Sequence, residues 1–395
     1  MCISLVGVRI KAAFNLSNEQ FGWVLGAFAL AYALFEIPSG MMGDKIGQRK
    51  SFIRIVIWWS VFTALTGATT GLITLIFARF FFGVGEAGAF PNSCATISHW
   101  FPAGETSKAV SALLVGTNTG AAIAPLIIVP IAAAYGWRVP FFVIGCIGLI
   151  WVLICFFWFK NEPSEMGGIK KEEQLHIEQN RRYTTHAKRI SWKYSLKNRT
   201  LRALVFSYFT NQFAFYFFVA WLPVYLQEGR KLLENDMKMI TSYIYISGIA
   251  GALCSGFIND WLVKKRGVKF ARQAIGFVSL IIAAISVLVA SKTANNQLAV
   301  AGLIATNFFV ILNTVTCFSV CVDIGSNRAG AVAGIMNFAG QMGAFAVAIT
   351  VGRIVQVTHN FGTALFVIAM VLFTGCLFWL MIDPRKQFMQ QQTAG

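Results

Sequence analysis

The chain has 395 residues, of which 56% are hydrophobic and only 12% are charged. Soluble domains carry about 25% charged residues, so this composition excludes a soluble globular protein and predicts an all-α polytopic membrane protein. The formal net charge of +17 would suit a nucleic-acid-binding protein, but the basic residues lie between apolar runs and not on a soluble module. The eight cysteines lack metal-ligand spacing, so neither a metal site nor a cofactor is predicted.

The first 159 residues form a predicted N-terminal helical half. Met1 to Ile10 is apolar but shorter than the roughly 20 residues that a spanning helix needs. Ser17 or Asn18 is expected to cap the helix that follows. Five complete spans are predicted, at residues 21–41, 52–70, 72–99, 108–134 and 139–159.

Residues 160–202 interrupt this pattern, because they are polar, rich in lysine and arginine, and lack an apolar run of spanning length. They predict a solvated linker with a short amphipathic helix near Glu172 to Arg182. Residues 203–395 form a C-terminal half with six further spans, at 203–227, 238–259, 272–290, 298–320, 329–353 and 361–382. Basic residues concentrate on the linker side of the spans, which predicts that the linker and the C-terminus are cytoplasmic.

An internal repeat relates the two halves. Residues 39–44, Ser-Gly-Met-Met-Gly-Asp, resemble residues 255–260, Ser-Gly-Phe-Ile-Asn-Asp, which lie 216 positions later, and basic residues follow both. Parallel repeats of six spans are a transporter architecture. On this offset, the partner of the span near Ala203 would begin before Met1. The sequence therefore predicts eleven complete spans and an N-terminally truncated chain whose first helix is largely missing.

The third predicted span contains two full charges, Arg79 and Glu86, in an otherwise apolar run. A charge at the bilayer centre costs about 2.5–3.5 kcal/mol on insertion scales, so such residues mark functional sites. Positions 79, 83 and 86 share one helical face. Glu86 is therefore a candidate for proton coupling, and Arg79 either binds an anion or neutralises Glu86.

Two other features of the spans have plainer interpretations. Residues 83–88 match the dinucleotide-binding pattern G-x-G-x-x-G, but that pattern requires a preceding strand and a βαβ unit. Because the segment lies within a span, nucleotide binding is not predicted. Glu36 lies near a predicted helix end, where it is expected to reach the lipid headgroups and to need no further role.

The segment Gly43-Asp44-x-x-Gly47-x-Arg49-Lys50 resembles the signature loop of the major facilitator superfamily. Within that superfamily the chain is similar to the anion:cation symporter family, which includes hexuronate, aldarate, aldonate and sialin-like carriers. This narrower resemblance rests on residues 79–91, 100–102, 136–138 and 221–226. It implies a major facilitator fold, in which two six-helix halves are related by pseudo-two-fold symmetry.

The resemblance also implies residue roles. Glu86 matches the family's proton-coupling glutamate, and Arg79 matches its arginine. The residues that match the lining of the family's substrate cavity are Tyr32, Thr117, Asn118 and Asn337. The signature loop is expected to act as a charge latch between inward and outward states, together with its echo in the second half; its members here are Gly43, Asp44, Gly47, Arg49 and Asp260. Read directly from the sequence, the candidates for binding sugar hydroxyls are Asn211, Gln212 and Tyr216.

These features predict a secondary active transporter that symports a small organic anion with protons by alternating access. The expected anion is a sugar acid such as a hexuronate, aldarate or aldonate. Uniport, exchange and sodium-coupled transport of another carboxylate remain alternatives. A membrane-embedded enzyme is disfavoured because the sequence lacks a Ser/His/Asp or H-E-x-x-H constellation, and a sensor would need an added signalling domain. The chain is expected to be a monomer in the bacterial cytoplasmic membrane, with no nucleic-acid partner.

Overall fold

The computed structural model describes residues 1–102, 105–181, 198–325 and 329–385, so residues 182–197 of the predicted linker lie outside the described residues. Within these ranges the regular structure is helical and contains no strand. Ten helical segments of the described chain are long and apolar enough to cross a membrane. The prediction of an all-α polytopic membrane protein is confirmed.

The helices before the linker include four of the five predicted spans at full apolar length. Their bounds are α1 (Cys2–Leu5), α2 (Gly7–Phe14), α3 (Asn18–Ile46), α4 (Gln48–Gly67), α5 (Leu72–Glu86), α6 (Ala89–Trp100), α7 (Thr106–Tyr135) and α8 (Val139–Trp158). Helices α5 and α6 together make one span. Helix α4 has 20 residues, about 30 Å, but it is not among the ten apolar segments because basic residues occupy its first two turns.

The six spans predicted after the linker are all present as helices. Their bounds, with the linker helix α9, are α9 (Lys171–Asn180), α10 (Arg199–Ala220), α11 (Glu234–Arg266), α12 (Val268–Lys292), α13 (Asn296–Gly325), α14 (Ala329–Thr358) and α15 (Phe361–Trp379). Helix α10 is followed by the short helical turn Leu222–Val224 and a π-helical turn, Tyr225–Gly229. Pro223 lies at this change of helix type, as expected of a residue without a backbone N–H.

Local sequence chemistry sets several of these bounds. Ser17 caps α3: its hydroxyl accepts a hydrogen bond from the Gln20 backbone N–H at 3.1 Å, and the Gln20 side chain accepts one from the Ser17 N–H at 2.9 Å. Single glycines join α3 to α4 and α11 to α12, namely Gly47 with φ +84° and Gly267 with φ +81°. A left-handed φ favours glycine. The two glycines lie four residues out of register with the 216-position repeat, so the same turn recurs after α11 has continued for about one further helical turn.

Helix packing also repeats across the linker. Helix α4 packs on α5 and α8, and α12 packs in the same way on α13 and α15. Helix α3 packs on α5, just as α11 packs on α13. The helices before and after the linker therefore form two bundles of similar internal arrangement.

Two long helix pairs join the bundles, α3 with α14 and α7 with α11. We call the end of the bundle from which the linker leaves the linker face, and the other end the opposite face. On the opposite face two ion pairs connect the segment before α3 to the second bundle: Arg9 Nη2 lies 2.7 Å from Glu234 Oε2, and Lys11 Nζ lies 2.7 Å from Glu228 Oε2. The bundles are therefore held together at this face.

The α3–α14 contact depends on residues without side chains. A Cβ atom at Gly352 of α14 would lie 2.6 Å from the carbonyl oxygen of Asn18. We expect Gly352→Ala to lower the free energy of unfolding by about 1–3 kcal/mol, the usual cost of overpacking, and thus to lower the melting temperature in detergent. Gly334→Ala, on the same helix, is the matched control because no described atom lies within 4 Å of its Cβ position. Equal melting temperatures for Gly352→Ala and the parent protein would contradict this account of the α3–α14 contact.

Candidate functional site

The span that carries Arg79 and Glu86 is interrupted immediately after the glutamate. Helix α5 ends at Glu86, and α6 begins at Ala89. Pro91 lies in the first turn of α6 and has no N–H to bond the carbonyl of Ala87. Transporters commonly build their substrate and ion sites at such discontinuous helices, so the break places Glu86 at a suitable position for one.

Two aromatic rings hold the guanidinium of Arg79. Its Cζ atom lies 4.8 Å from the ring centroid of Phe28 in α3 and 4.7 Å from that of Phe82 in α5. Its Nε atom is buried and has no hydrogen-bond partner in the described chain. Buried charges are normally paired, so this guanidinium retains unused capacity to bind an anion.

Glu86 lies near Arg79 without contacting it. The ion pairs within 4.0 Å among the described residues do not include one between these side chains, although the two charges interact electrostatically. Seven residues of helix correspond to about 10 Å along the axis. Both side chains are only partly buried. The predicted pair is therefore two separate charges in one region, and not a closed ion pair.

The two tyrosines of the predicted site lie beside this pair. Tyr32 of α3 interacts electrostatically with Glu86, and Tyr216 of α10 interacts with both Glu86 and Arg79. A small cluster of apolar side chains surrounds them, made up of Phe28, Ala29, Phe82, Ala87, Ala344 and Phe345. Helices from both bundles thus meet at Glu86, which is where a substrate cavity between the bundles would lie.

Asn337 also faces the other bundle. Its amide Nδ2 donates a hydrogen bond to Oε1 of Glu36, and its Oδ1 lies 3.5 Å from the hydroxyl of Tyr208. Glu36 is only 3% exposed, so the prediction that it reaches the headgroups is wrong. The reason is that α3 continues through Pro38 to Ile46, which leaves Glu36 well inside the helix.

The remaining polar candidates make contacts with other parts of the chain. Asn211 is fully buried, donates to the Thr314 hydroxyl at 2.8 Å and accepts from Asn313 at 3.0 Å, so its amide is already satisfied by α13. Gln212 packs beside Gly340, where a Cβ would lie 2.8 Å from its Cγ.

Thr117 and Asn118 lie on α7. Thr117 is exposed, and its hydroxyl bonds the Leu113 carbonyl at 2.9 Å. Asn118 is buried at the α7–α11 contact, where its Oδ1 would lie 2.6 Å from a Cβ on Gly248. Neither residue makes a hydrogen bond to Arg79 or Glu86 within the described chain.

The predicted latch loop contacts other parts of the linker face. The backbone N–H of Arg49 donates to Asn161 at 2.9 Å, and its guanidinium donates to the carbonyl of Phe156. Gly43 lies against the side chain of Asn92. Asp44 is exposed and does not take part in the ion pairs of the described residues.

In the second bundle the predicted latch residue, Asp260, is exposed. Its neighbour Asn259 makes the latch-like contacts instead. Asn259 is buried and accepts a hydrogen bond at 2.5 Å from Arg272, which also lies 2.9 Å from Asp323. The sequence signal that could have found this network is the presence of an arginine and an aspartate at the ends of neighbouring spans.

Comparison with known proteins identifies the family. The model of the Major Facilitator Superfamily matches residues 1–348. The chain is 29% identical to a probable sulfoacetate transporter of Cupriavidus necator, covering 97% of this chain and 89% of that protein. It is also 29% identical to the hexuronate transporter of Bacillus subtilis, covering 92% and 85%, and to the D-galactonate transporter of Escherichia coli O6:H1, covering 96% and 90%.

A solved structure shares the fold. A bacterial homologue of the human lysosomal transporter Spinster, in an inward-facing and occupied conformation, superposes with a TM-score of 0.71 at 18% identity, over 96% of this chain and 92% of that one. The named relatives are transporters, which confirms the prediction of a transporter over an enzyme. The chain therefore belongs to the Major Facilitator Superfamily, among relatives of its anion:cation symporter type.

Proposed function

We propose that this chain is a proton-coupled symporter of a small organic anion of the sugar-acid class, working by alternating access. One observation carries the proposal: Arg79, a guanidinium without an ion pair among the described residues, shares a helix face with a carboxyl, Glu86, where both bundles meet. The arginine supplies a fork of donors that matches a carboxylate. The glutamate supplies a group that can gain and lose a proton.

Substrate class follows from the charge and from the relatives. Each of the three named relatives carries an anion, and two of those anions are sugar acids by name. We assign the substrate's carboxylate to Arg79 and its hydroxyl groups to Tyr32 and Tyr216, which both interact electrostatically with Glu86. Asn337 of the predicted set already donates to Glu36 and is given no substrate contact. Gln212, which packs beside Gly340, is kept as a further candidate. Thr117 and Asn118 of the predicted set are given no contact, and Asn211 is assigned to packing because its amide is satisfied.

Coupling follows from the two charges. Burial disfavours the charged form of a carboxyl, while a nearby cation favours it. An anion that binds Arg79 reduces the influence of that cation on Glu86, so substrate binding promotes uptake of a proton. Because linkage is reciprocal, a proton on Glu86 promotes substrate binding to the same extent. The bound anion and the proton then cross the membrane together.

The test is uptake by purified protein in proteoliposomes, with hexuronates, aldonates, aldarates and a sulfonate as substrates. An inside-alkaline pH gradient should drive at least one of them above its equilibrium level. A sodium gradient alone should not. Uptake that responds only to sodium, or that never exceeds equilibrium, would instead support the sodium-coupled carrier or the uniporter.

The excess of basic residues on the linker face supports a cytoplasmic location for that face. Among the loop residues on this face, Asp44 is proposed to set the balance between the inward and outward states, and it is exposed in the structure described. We expect Asp44→Asn to slow turnover severalfold while changing substrate affinity little, since Asp44 lies about 24 Å along α3 from Phe28, the residue of that helix that contacts Arg79. Initial uptake rates and half-saturation concentrations measure both effects. An unchanged rate would leave the loop without a latch function.

A further inference from the structure

Glu36 is a second acid within the spans, and it occupies a different contact from Glu86. It lies on α3, ten residues before the helix ends at the linker face. Asn337 of α14 donates to its Oε1, whereas its Oε2 is buried and has no hydrogen-bond partner in the described chain. This carboxyl therefore joins the two bundles in the linker half of the membrane through one neutral hydrogen bond.

Among the described residues, the groups facing Glu36 do not include a cation. Those that interact electrostatically with it are the hydroxyls and thiol of Tyr32, Cys94, Tyr208 and Tyr216, from α3, α6 and α10. The nearest basic residue on α4, Arg54, donates instead to the Ser39 hydroxyl at 2.6 Å. On α5, Arg79 lies against the rings of Phe28 and Phe82, and Glu86 is itself an acid.

These contacts satisfy a neutral carboxyl better than a carboxylate. A neutral Glu36 accepts the Asn337 hydrogen bond through its carbonyl oxygen and carries its proton on Oε2. A carboxylate at the same position would have a buried charged oxygen without a donor, and this is strongly unfavourable. Ionisation therefore requires water at Glu36, and separation of α3 and α14 would admit it.

We propose that Glu36 is a proton-dependent latch between the two bundles, closed when the carboxyl is neutral and released when it ionises. Its proton is lost to the linker face as α3 and α14 separate there, and closure requires the proton to return. By linkage, the proton affinity of Glu36 and the closed fraction rise together. Glu36 is thus a positioning residue that acts through the Asn337 contact. The proposal rests on the alternating access proposed above, but not on proton coupling at Glu86.

Spin labels on the two helices test the proposal. Met41 and Ala331 are exposed near the linker ends of α3 and α14, so Met41→Cys and Ala331→Cys, in a protein whose eight native cysteines are replaced, accept one label each. Between pH 5.5 and 8.5 we expect the population with the longer label separation to rise with pH. The rise can reach tenfold per pH unit for a single titrating group.

Glu36→Gln keeps the acceptor for Asn337 but cannot ionise, so the short separation should persist at every pH. Glu36→Asp should retain a pH dependence with a displaced midpoint. Glu19→Gln is the matched control, because Glu19 lies on the same helix, 3.8 Å from Arg353 of α14, and its side chain is 40% exposed; it should behave as the parent protein does.

Other titratable groups on the linker face can be distinguished from Glu36 in this experiment. Burial would raise the pKa of Glu162, but hydrogen bonds from Arg181 and His99 hold it below its usual value. The hydrogen bond from Arg385 lowers the pKa of Asp383 to about 2. Both acids therefore stay ionised throughout the titration, and His99 is present in every variant. A pH-dependent separation that survives in Glu36→Gln would overturn the proposal, as would a separation in the parent protein that does not change with pH. Neither result bears on uphill transport through Glu86.

Discussion

Glu86→Gln is expected to abolish uphill uptake while leaving exchange intact. Glutamine has the shape of the protonated glutamate, so the substrate should still bind and cross in both directions. A pH difference of two units is equivalent to about 2.7 kcal/mol for each proton, or a 100-fold accumulation. The parent protein should use this driving force to accumulate substrate, and the variant should not. Counterflow and gradient-driven uptake in proteoliposomes measure the two activities separately.

Glu173→Gln is the matched control for this experiment. Glu173 is an exposed acid of the linker helix α9, so its loss changes the net charge equally without touching the spans. It should accumulate substrate like the parent protein. If Glu86→Gln still concentrated substrate against its gradient, Glu86 would have a structural role and the coupling group would lie elsewhere.

Arg79→Lys is expected to weaken substrate binding about 10- to 100-fold, equivalent to about 1.5–3 kcal/mol for hydrogen bonds to a charged group. The guanidinium lies against the rings of Phe28 and Phe82, and its Nε atom has no hydrogen-bond partner in the described chain. A lysine ammonium keeps the charge but lacks the planar fork. The half-saturation concentration for counterflow gives the change in affinity.

Arg353→Lys is the matched control. The Arg353 side chain is 73% exposed and lies near Glu19 at the opposite face, so the substrate affinity of this variant should not change. Arg79 had two possible roles in the sequence, anion binding and neutralisation of Glu86. Normal affinity in Arg79→Lys, combined with disturbed coupling, would support neutralisation and contradict the assignment of the carboxylate to Arg79.

Much of the fold could be predicted because long apolar runs require helices in a bilayer, where every backbone polar group must be bonded internally. The same rule explains an error. Pro38 suggested the end of a span, but α3 continues past it for eight residues, since proline is tolerated in helices packed against neighbours. Glu36 was therefore placed at the headgroups, whereas it is buried against Asn337.

The site could be predicted only in part. Two charges in one span made Arg79 and Glu86 the leading candidates, because charged side chains at that depth are costly and rare outside binding sites and ion pathways. Uncharged polar residues gave a weaker signal, since periodicity does not reveal which helix each one faces. Asn211 is an example: its hydrogen bonds to Thr314 and Asn313 depend on a helix about 100 residues away in the sequence.

Proton movement on addition of substrate tests the central claim most directly. Proteoliposomes with no initial ion gradient are mixed with a sugar acid in weakly buffered medium, and the external pH is recorded. Symport predicts that the medium becomes more alkaline as substrate enters, and that Glu86→Gln eliminates this change while its counterflow continues. Substrate entry into vesicles of the parent protein without any change in external pH would contradict the account.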